Sequence, residues 1–263
     1  RQHIRIWNKD SSELITSIPI SYGWLRSPDR RKLVVYGYGP PYAEIRELAT
    51  GRTLITLKGH EDWVLHAGYS PDGRHLVTAS MDRSARLWEA HTGRLLAQLR
   101  GHMDYVTGAT FSPDGRYLIT KSSEADHTAR IWEVGTGRLV AILPVPYQEM
   151  EPIFGPNGDT VVMAGDEKTL RVWELTTGRL LAVLRGEPAA ITAVAYSPDG
   201  SRLFSTSKQG TVRVWDVSRE TRSAEEIGKL LRCRLAFRFE REGSSTIVAN
   251  TPNPSACTGM TVR

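Results

Sequence analysis

Residues 59–94 read GHEDWVLHAGYSPDGRHLVTASMDRSARLWEAHTGR, and residues 101–138 read GHMDYVTGATFSPDGRYLITKSSEADHTARIWEVGTGR. The second stretch is the first written again with substitutions, and much of the chain follows the same template. The Ser-Pro-Asp-Gly turn begins at Ser70, Ser112 and Ser197, with weaker copies at Ser27 (Ser-Pro-Asp-Arg) and Gly155 (Gly-Pro-Asn-Gly), so successive starts lie 42 or 43 residues apart. A Trp falls at 7, 88, 132, 173 and 215, with Arg46 in the same slot of one copy. Thr-Gly-Arg follows four residues after that slot at Thr50, Thr92, Thr136 and Thr177.

A period of ~40–45 residues with Gly-His and Trp signatures marks a four-stranded propeller blade. At these residues the chain resembles the WD-repeat β-propeller family, over roughly Ile4–Val217, in a form expected to be of bacterial type. The Trp-Asp pair survives only at Trp215-Asp216; elsewhere it is Trp-Glu, or Trp-Asn at Trp7. The expected fold is all-β: four-stranded antiparallel blades starting near 22, 63, 105, 147 and 190, after a partial blade over residues 1–18. These form a propeller unit over residues 1–218, followed by an extension over residues 219–263.

The second unit, Tyr22–Lys58, is the most eroded. Pro40 and Pro41 cannot donate to a central ladder, so Tyr36–Tyr42 is expected to be a loop between strands. After Trp215 the period stops. Ser223-Ala-Glu-Glu226 is a capping-box pattern ahead of Ile227, Leu230 and Leu231, which predicts a short helix over 223–233. Residues 234–240 and 245–249 alternate as a hairpin, and the tail from Thr251 is rich in Thr, Pro and Ser. Starting in mid-blade, the chain reads as part of a longer protein. The ring is expected to be incomplete unless the hairpin pairs with His3–Asn8.

Composition bounds the function. The chain of 263 residues is 40% hydrophobic and 24% charged, ordinary for a globular protein. No apolar run approaches the ~18 residues that span a bilayer, so no membrane partner is expected. Cys233 and Cys257 match no metal or disulfide spacing, and a reducing cytoplasm is the expected compartment. The net charge of +5 raises nucleic acid as a partner. The arginines argue against it, because they recur two residues before the Trp slot (Arg5, Arg86, Arg130, Arg171, Arg213) and at Thr-Gly-Arg. Charges set by a repeat ring the body instead of forming one stripe.

The family resemblance implies a relay of entry His, strand hydroxyl, turn Asp and Trp. His60, Thr78, Asp82 and Trp88 match it, as do His102, Thr120, Asp126 and Trp132. Buried indole, imidazole and carboxylate each need partners. A His, an Asp and a hydroxyl also compose a hydrolase triad, but the set recurs at the repeat period, and no Gly-x-Ser-x-Gly, P-loop or His-Glu-x-x-His motif occurs. The blades at Trp173 and Trp215 depart from it: Met163 and Glu167 fill the hydroxyl and Asp slots in one, Ser205 and Gln209 in the other. His66, His75, His91 and His127 are read as solvated, and neither a metal site nor a cofactor is expected.

The resemblance also implies a partner-binding face at the residues that flank each first strand and precede the turn Asp. These are Trp63, Leu65, Met81, Tyr105 and Thr107, with Gln148, Met150, Asp166, Thr192, Lys208 and Tyr22 as weaker matches. Trp, Tyr and Met on a polar face suit anchor pockets, although Trp63 could instead pack under a neighbouring loop. The expected function is a non-enzymatic scaffold docking peptides or proteins as the recognition arm of a larger signalling protein, with an upstream domain. The alternative is a propeller enzyme acting on a small substrate in the central channel.

Overall fold

A computed structural model describes residues 2–7, 12–20, 22–123, 125–145, 151–166, 168–186, 189–217, 237–238 and 248–249. By its contacts the chain divides into two units, residues 1–217 and 218–263. Among the described residues there is no helix. The expected helix over 223–233 lies outside them.

The first unit is a run of antiparallel sheets. β1 (Gln2–Trp7) and β2 (Leu14–Ile20) form a two-stranded sheet. β3 (Gly23–Arg26), β4 (Lys32–Tyr36), β5 (Tyr42–Glu47) and β6 (Thr53–Lys58) form the first four-stranded sheet. The second holds β7 (Val64–Tyr69), β8 (His75–Ser80), β9 (Ala85–Glu89) and β10 (Leu95–Leu99), and the third β11 (Val106–Phe111), β12 (Tyr117–Ser122), β13 (Thr128–Glu133) and β14 (Leu139–Pro144). The fourth consists of β15 (Ile153–Phe154), β16 (Thr160–Asp166), β17 (Thr169–Glu174) and β18 (Leu180–Leu184). β19 (Ile191–Tyr196), β20 (Arg202–Ser207) and β21 (Val212–Asp216) make a three-stranded sheet. In the second unit β22 (Phe237–Arg238) pairs antiparallel with β23 (Val248–Ala249) in a separate two-stranded sheet.

Each four-stranded sheet is a meander, so its turns fall at two ends. Ser-Pro-Asp-Gly joins first strand to second and Thr-Gly-Arg joins third to fourth; both lie at one end. The approach to the first strand and the turn between second and third lie at the other, called the entry end below. In the Ser-Pro-Asp-Gly turn, Ser70 Oγ donates to Asp72 Oδ1 at 2.6 Å and the same oxygen accepts Arg74 N–H at 3.0 Å. Ser112 and Ser197 repeat the bond at 2.6 Å. In the turn at Ser27, Arg30 replaces Gly and keeps a left-handed φ of 60°.

The sheets stack face to face, which explains strands apolar on both sides. Val77, Ala79, Ala85 and Leu87 of the second four-stranded sheet pack against Val106, Ala109, Leu118 and Trp132 of the third. Of the two recurrent turns, Thr-Gly-Arg sets the spacing. The glycine of Thr-Gly-Arg has φ of +69° at Gly178, and a Cβ there would stand 2.1 Å from Ala141 Cβ of the preceding sheet. That glycine is therefore required twice, by backbone conformation and by close approach. At Gly73 (φ +71°) the nearest such atom, in Pro28, is 3.7 Å away, so only conformation matters.

Among the described residues the sheet of β19, β20 and β21 has no fourth strand, and one of its faces is bare. Val77 and Leu87 are 0% and 1% exposed, whereas Phe204, Val212 and Val214 on the corresponding face of β20 and β21 are 37%, 65% and 57% exposed. At the other terminus Trp7 is 54% exposed and Trp24 47%. Among the described residues no sheet covers the β20–β21 face or the side of β1 that carries Trp7, whereas Ile4, Ile6 and Ile18 of β1 and β2 pack on Leu33 and Val35 of the sheet that holds Trp24.

The two kinds of glycine should separate in denaturant melts. Gly73→Ala bears left-handed strain of ~1–2 kcal/mol, and Gly178→Ala should cost more because the strand of Ala141 must also shift. Equal costs would show that the turn does not set the sheet spacing.

Candidate functional site

Two sets of side chains gather at the entry end. The first ties each sheet together. Trp88 Nε1–H donates to Thr78 Oγ1 at 2.8 Å, Thr78 Oγ1 lies 2.8 Å from His60 Nε2, and His60 Nδ1 lies 2.7 Å from Asp82 Oδ2. In the third four-stranded sheet the same contacts are 2.9 Å (Trp132–Thr120), 2.8 Å (Thr120–His102) and 2.5 Å (His102–Asp126).

The donors fix the direction. The indole can only donate, so the Thr oxygen accepts from it and its hydroxyl points at His Nε2, which must then accept. Nδ1 carries the proton and donates to the carboxylate. The chain is complete with a neutral imidazole and an ionised Asp. Asp82 also accepts the N–H of Glu61 and both the N–H and Oγ–H of Ser84.

Electrostatics agree with that assignment. Burial raises the Asp82 carboxyl, but hydrogen bonds from His60 and Ser84 outweigh it and hold the group well below the usual carboxylate range. At Asp126 burial is likewise outweighed by bonds from His102 and Thr128. Burial pushes His102 down, against the opposing bond and charge of Asp126.

The other two sheets differ. Met163, in the hydroxyl slot, is buried, and Glu167 lies outside the described residues. Ser205 still accepts Trp215 Nε1–H at 2.8 Å, so one link of the relay persists there.

The second set is the expected partner face. Trp63 is 39% and Tyr105 42% exposed, and their backbone N–H groups donate to Asp62 and Asp104 at 2.7 and 2.8 Å. Met81 N–H donates to Trp63 O at 3.0 Å, which closes the entry turn, and Met81 and Leu65 are partly exposed. Register shifts between Val64 and His66, Val106 and Gly108, and Ile191 and Ala193 leave Leu65, Thr107 and Thr192 at bulges, features that re-aim side chains. Lys208 is exposed on its turn, with its N–H on Ala190 O at 2.8 Å. Gln148 and Met150 lie outside the described residues.

Trp63 does not stand alone. Its ring meets Tyr38 edge-on with centroids 4.8 Å apart, Tyr38 meets Tyr22 at 4.8 Å, and Tyr22 meets Tyr36 at 6.5 Å. Tyr38 is a functional candidate that the sequence reading missed. It lies in the turn after β4 at the slot that Met81 holds after β8, so the slot was available but lay in the most eroded repeat.

The arginines and histidines also find their places. A Cβ on Gly59 would stand 2.0 Å from Arg86 Nη1, and Arg130 Nη2 donates to Gly101 O at 2.6 Å. Arg171 Nη1 donates to Pro144 O at 3.3 Å. The slot before Trp therefore clamps the entry loop of its own sheet. Three of the four Thr-Gly-Arg arginines, Arg94, Arg138 and Arg179, sit 3.3–3.9 Å from Glu89, Glu133 and Glu174. His91 and His127 are exposed and His75 partly so, but His66 does not fit the solvated reading. Burial lowers its pKa, with the Glu151 charge and a bond to the Ala109 backbone opposing. Glu151 in turn pairs with Lys121 across two sheets.

Trp88→Ala should cost ~3–5 kcal/mol from packing and Asp82→Ala ~1–3 kcal/mol from unpaired donors, while Arg46→Ala, outside any relay, should cost much less. Acid should act through the same groups. His102 is lowered on folding, so the unfolded chain takes its proton first and stability falls as pH drops below ~6.5. The lowered Asp82 and Asp126 add a further loss below ~4, as pH falls towards their folded values. Melts of His102→Gln should shrink the upper step, leaving the share due to the lowered His66, and keep the lower one; an unchanged profile would contradict the assignment.

Comparison with known proteins comes to the same repeats. The family model described as WD domain, G-beta repeat matches residues 51–89, 93–133 and 178–216. Nuclear distribution protein PAC1 of Arthroderma benhamiae is 26% identical over 67% of this chain and 34% of its own length. Transcription initiation factor TFIID subunit 5 of Caenorhabditis elegans is 29% identical over 79% of this chain and 32% of its own. Ribosome assembly protein 4 of Saccharomyces cerevisiae is 40% identical over 16% of this chain. The chain thus spans about a third of the first two relatives. All three come from eukaryotes, which gives no support to the bacterial-type expectation. Three segments of the chain match the WD repeat, and its antiparallel four-stranded sheets are consistent with propeller blades.

Proposed function

We propose that this chain is a non-enzymatic docking module that holds a peptide or a partner protein against the entry end of its sheets. The observation that carries the reading is the exposure of Trp63 and Tyr105 on turns pinned by Asp82 and Asp126. Large aromatic groups on a rigid surface lose little entropy when they are covered, and each square ångström of apolar surface removed from water contributes ~25 cal/mol. Two of the relatives are named as a subunit of a transcription initiation factor and as a ribosome assembly protein, names that belong to multi-component assemblies.

The basic charge supports this reading over nucleic-acid binding. Arg130 and Arg171 are engaged with backbone carbonyls and Arg94, Arg138 and Arg179 with neighbouring glutamates, so these repeated arginines are not gathered into one stripe for phosphates. Residues 1–218 serve as the docking unit and residues 219–263 as an extension to it. The module is the recognition arm of a longer protein.

Converting Trp63 to Ala and Tyr105 to Ser should abolish recovery of the bound protein while leaving the melting transition nearly unchanged. Arg94→Glu and Arg138→Glu should be neutral. Affinity measured at low and moderate salt decides the matter. If the arginine changes destroy binding, the aromatic ones do not, and affinity falls steeply with salt, the docking reading is wrong. A thermal-shift response to a small metabolite, with no protein partner recovered, would favour the channel enzyme instead.

A further inference from the structure

The aromatic rings at the entry end are arranged as a ladder, and its spacing names a ligand. Tyr22, Tyr38 and Trp63 are 51%, 46% and 39% exposed. Neighbouring planes cross at 68° and 79°, with centroids 4.8 Å apart at each step. Faces and edges therefore alternate along the surface and leave notches between rings. Two such steps cover about one turn of a polyproline II helix, which advances ~3.1 Å per residue and repeats every three residues. Rings already packed edge to face leave no closed box for a cation between them, so a methylated lysine cage does not fit.

The surrounding charge adds a second constraint. The turn that carries Trp63 holds Glu61 and Asp62, both exposed, and no base. Glu61 has a distant pair with Arg100 at 3.9 Å and also feels the charge of Arg86. Three arginines stand near that turn: Arg100 beside Glu61, Arg86 folded over Gly59, and Arg83 exposed on the turn between β8 and β9. Carboxylates beside stacked rings repel a phosphate backbone and favour a peptide with a positive flank.

We propose that the Tyr22–Tyr38–Trp63 ladder binds a proline-rich segment in the polyproline II conformation, with Glu61 and Asp62 holding a basic residue at one end of it. Proline rings seat in the notches between the aromatic rings, and the preformed polyproline helix keeps the ordering cost low. The proposal rests on the docking reading, and it commits that face to one chemical class.

The test is a fluorescent peptide of ten prolines ending in two arginines, titrated into the full chain. A peptide of alternating Gly and Ser with the same arginines, and single-stranded poly-uridine RNA, serve as controls. The proline peptide should bind, the Gly-Ser peptide at least about tenfold more weakly. Tyr38→Ala and Trp63→Ala should each weaken it at least about tenfold, and Tyr38→Phe should leave it unchanged. Replacing the two arginines by glutamates, or Asp62 by Asn, should weaken it several-fold, with less effect at high salt. Tyr22→Ala provides a second surface variant should Tyr38→Ala lower the melting temperature. The proposal is overturned if the proline peptide binds no better than Gly-Ser, if the ladder variants leave it unaffected, or if poly-uridine binds the ladder more tightly. If the peptide fails while protein recovery still depends on Trp63 and Tyr105, the docking reading stands and the proline class falls. Loss of both removes the two together.

Discussion

A single line of hydrogen bonds, from Trp88 through Thr78 and His60 to Asp82, anchors the entry end of a sheet. Its direction is dictated at the indole, which can only donate, and it terminates on a carboxylate, which can only accept. Between those ends it crosses the third strand, the second strand, the approach to the first and the turn between second and third. Asp82 then takes the Glu61 N–H, two residues from Trp63. Were the line broken, the aromatic side chains of the entry turn would still be present but would no longer be held. Rigidity of the face is thus a consequence of buried polar satisfaction.

Sheet-to-sheet spacing is the second constraint, and it acts from the opposite end. Glycines of the Thr-Gly-Arg turns rest against the outer strand of the sheet before them, while Ser-Pro-Asp-Gly turns stack on their counterparts. With that spacing set, the turn after β4 and the turn before β7 come close enough for Tyr38 to meet Trp63. The ladder is therefore a product of neighbouring repeats and belongs to neither alone. Its composition reflects the most eroded repeat, where Tyr22 and Tyr38 stand at the slots of Leu65 and Met81.

Features that recur within one repeat were legible in the sequence, because local chemistry determines them. The Ser-Pro-Asp-Gly turn needs a hydroxyl, a carboxylate and a left-handed residue at fixed offsets, and its 42- or 43-residue spacing gave the sheets and their boundaries. The positions of His60, Thr78, Asp82 and Trp88 could be matched for the same reason. Contacts between repeats were not legible. Tyr38 lies in a copy with no Gly-His to align on, and His66 is half-buried against Ala109 of the next sheet. The arginines before each Trp looked like a surface charge ring, whereas Arg86 and Arg130 are folded over the glycine of their own entry loop. Gln148, Met150 and the helix expected over 223–233 fall outside the described residues.

The central claim, that the relay holds the docking turns in place, is tested most directly by amide hydrogen exchange at Glu61 and Met103. Both amides lie on exposed turns, yet each donates to a relay carboxylate, Asp82 or Asp126. The account predicts slow exchange at both in the native chain. In Asp82→Asn, exchange at Glu61 should accelerate at least about tenfold while Met103 stays slow. Fast exchange at Glu61 in the native chain, or a rate indifferent to Asp82→Asn, would contradict it.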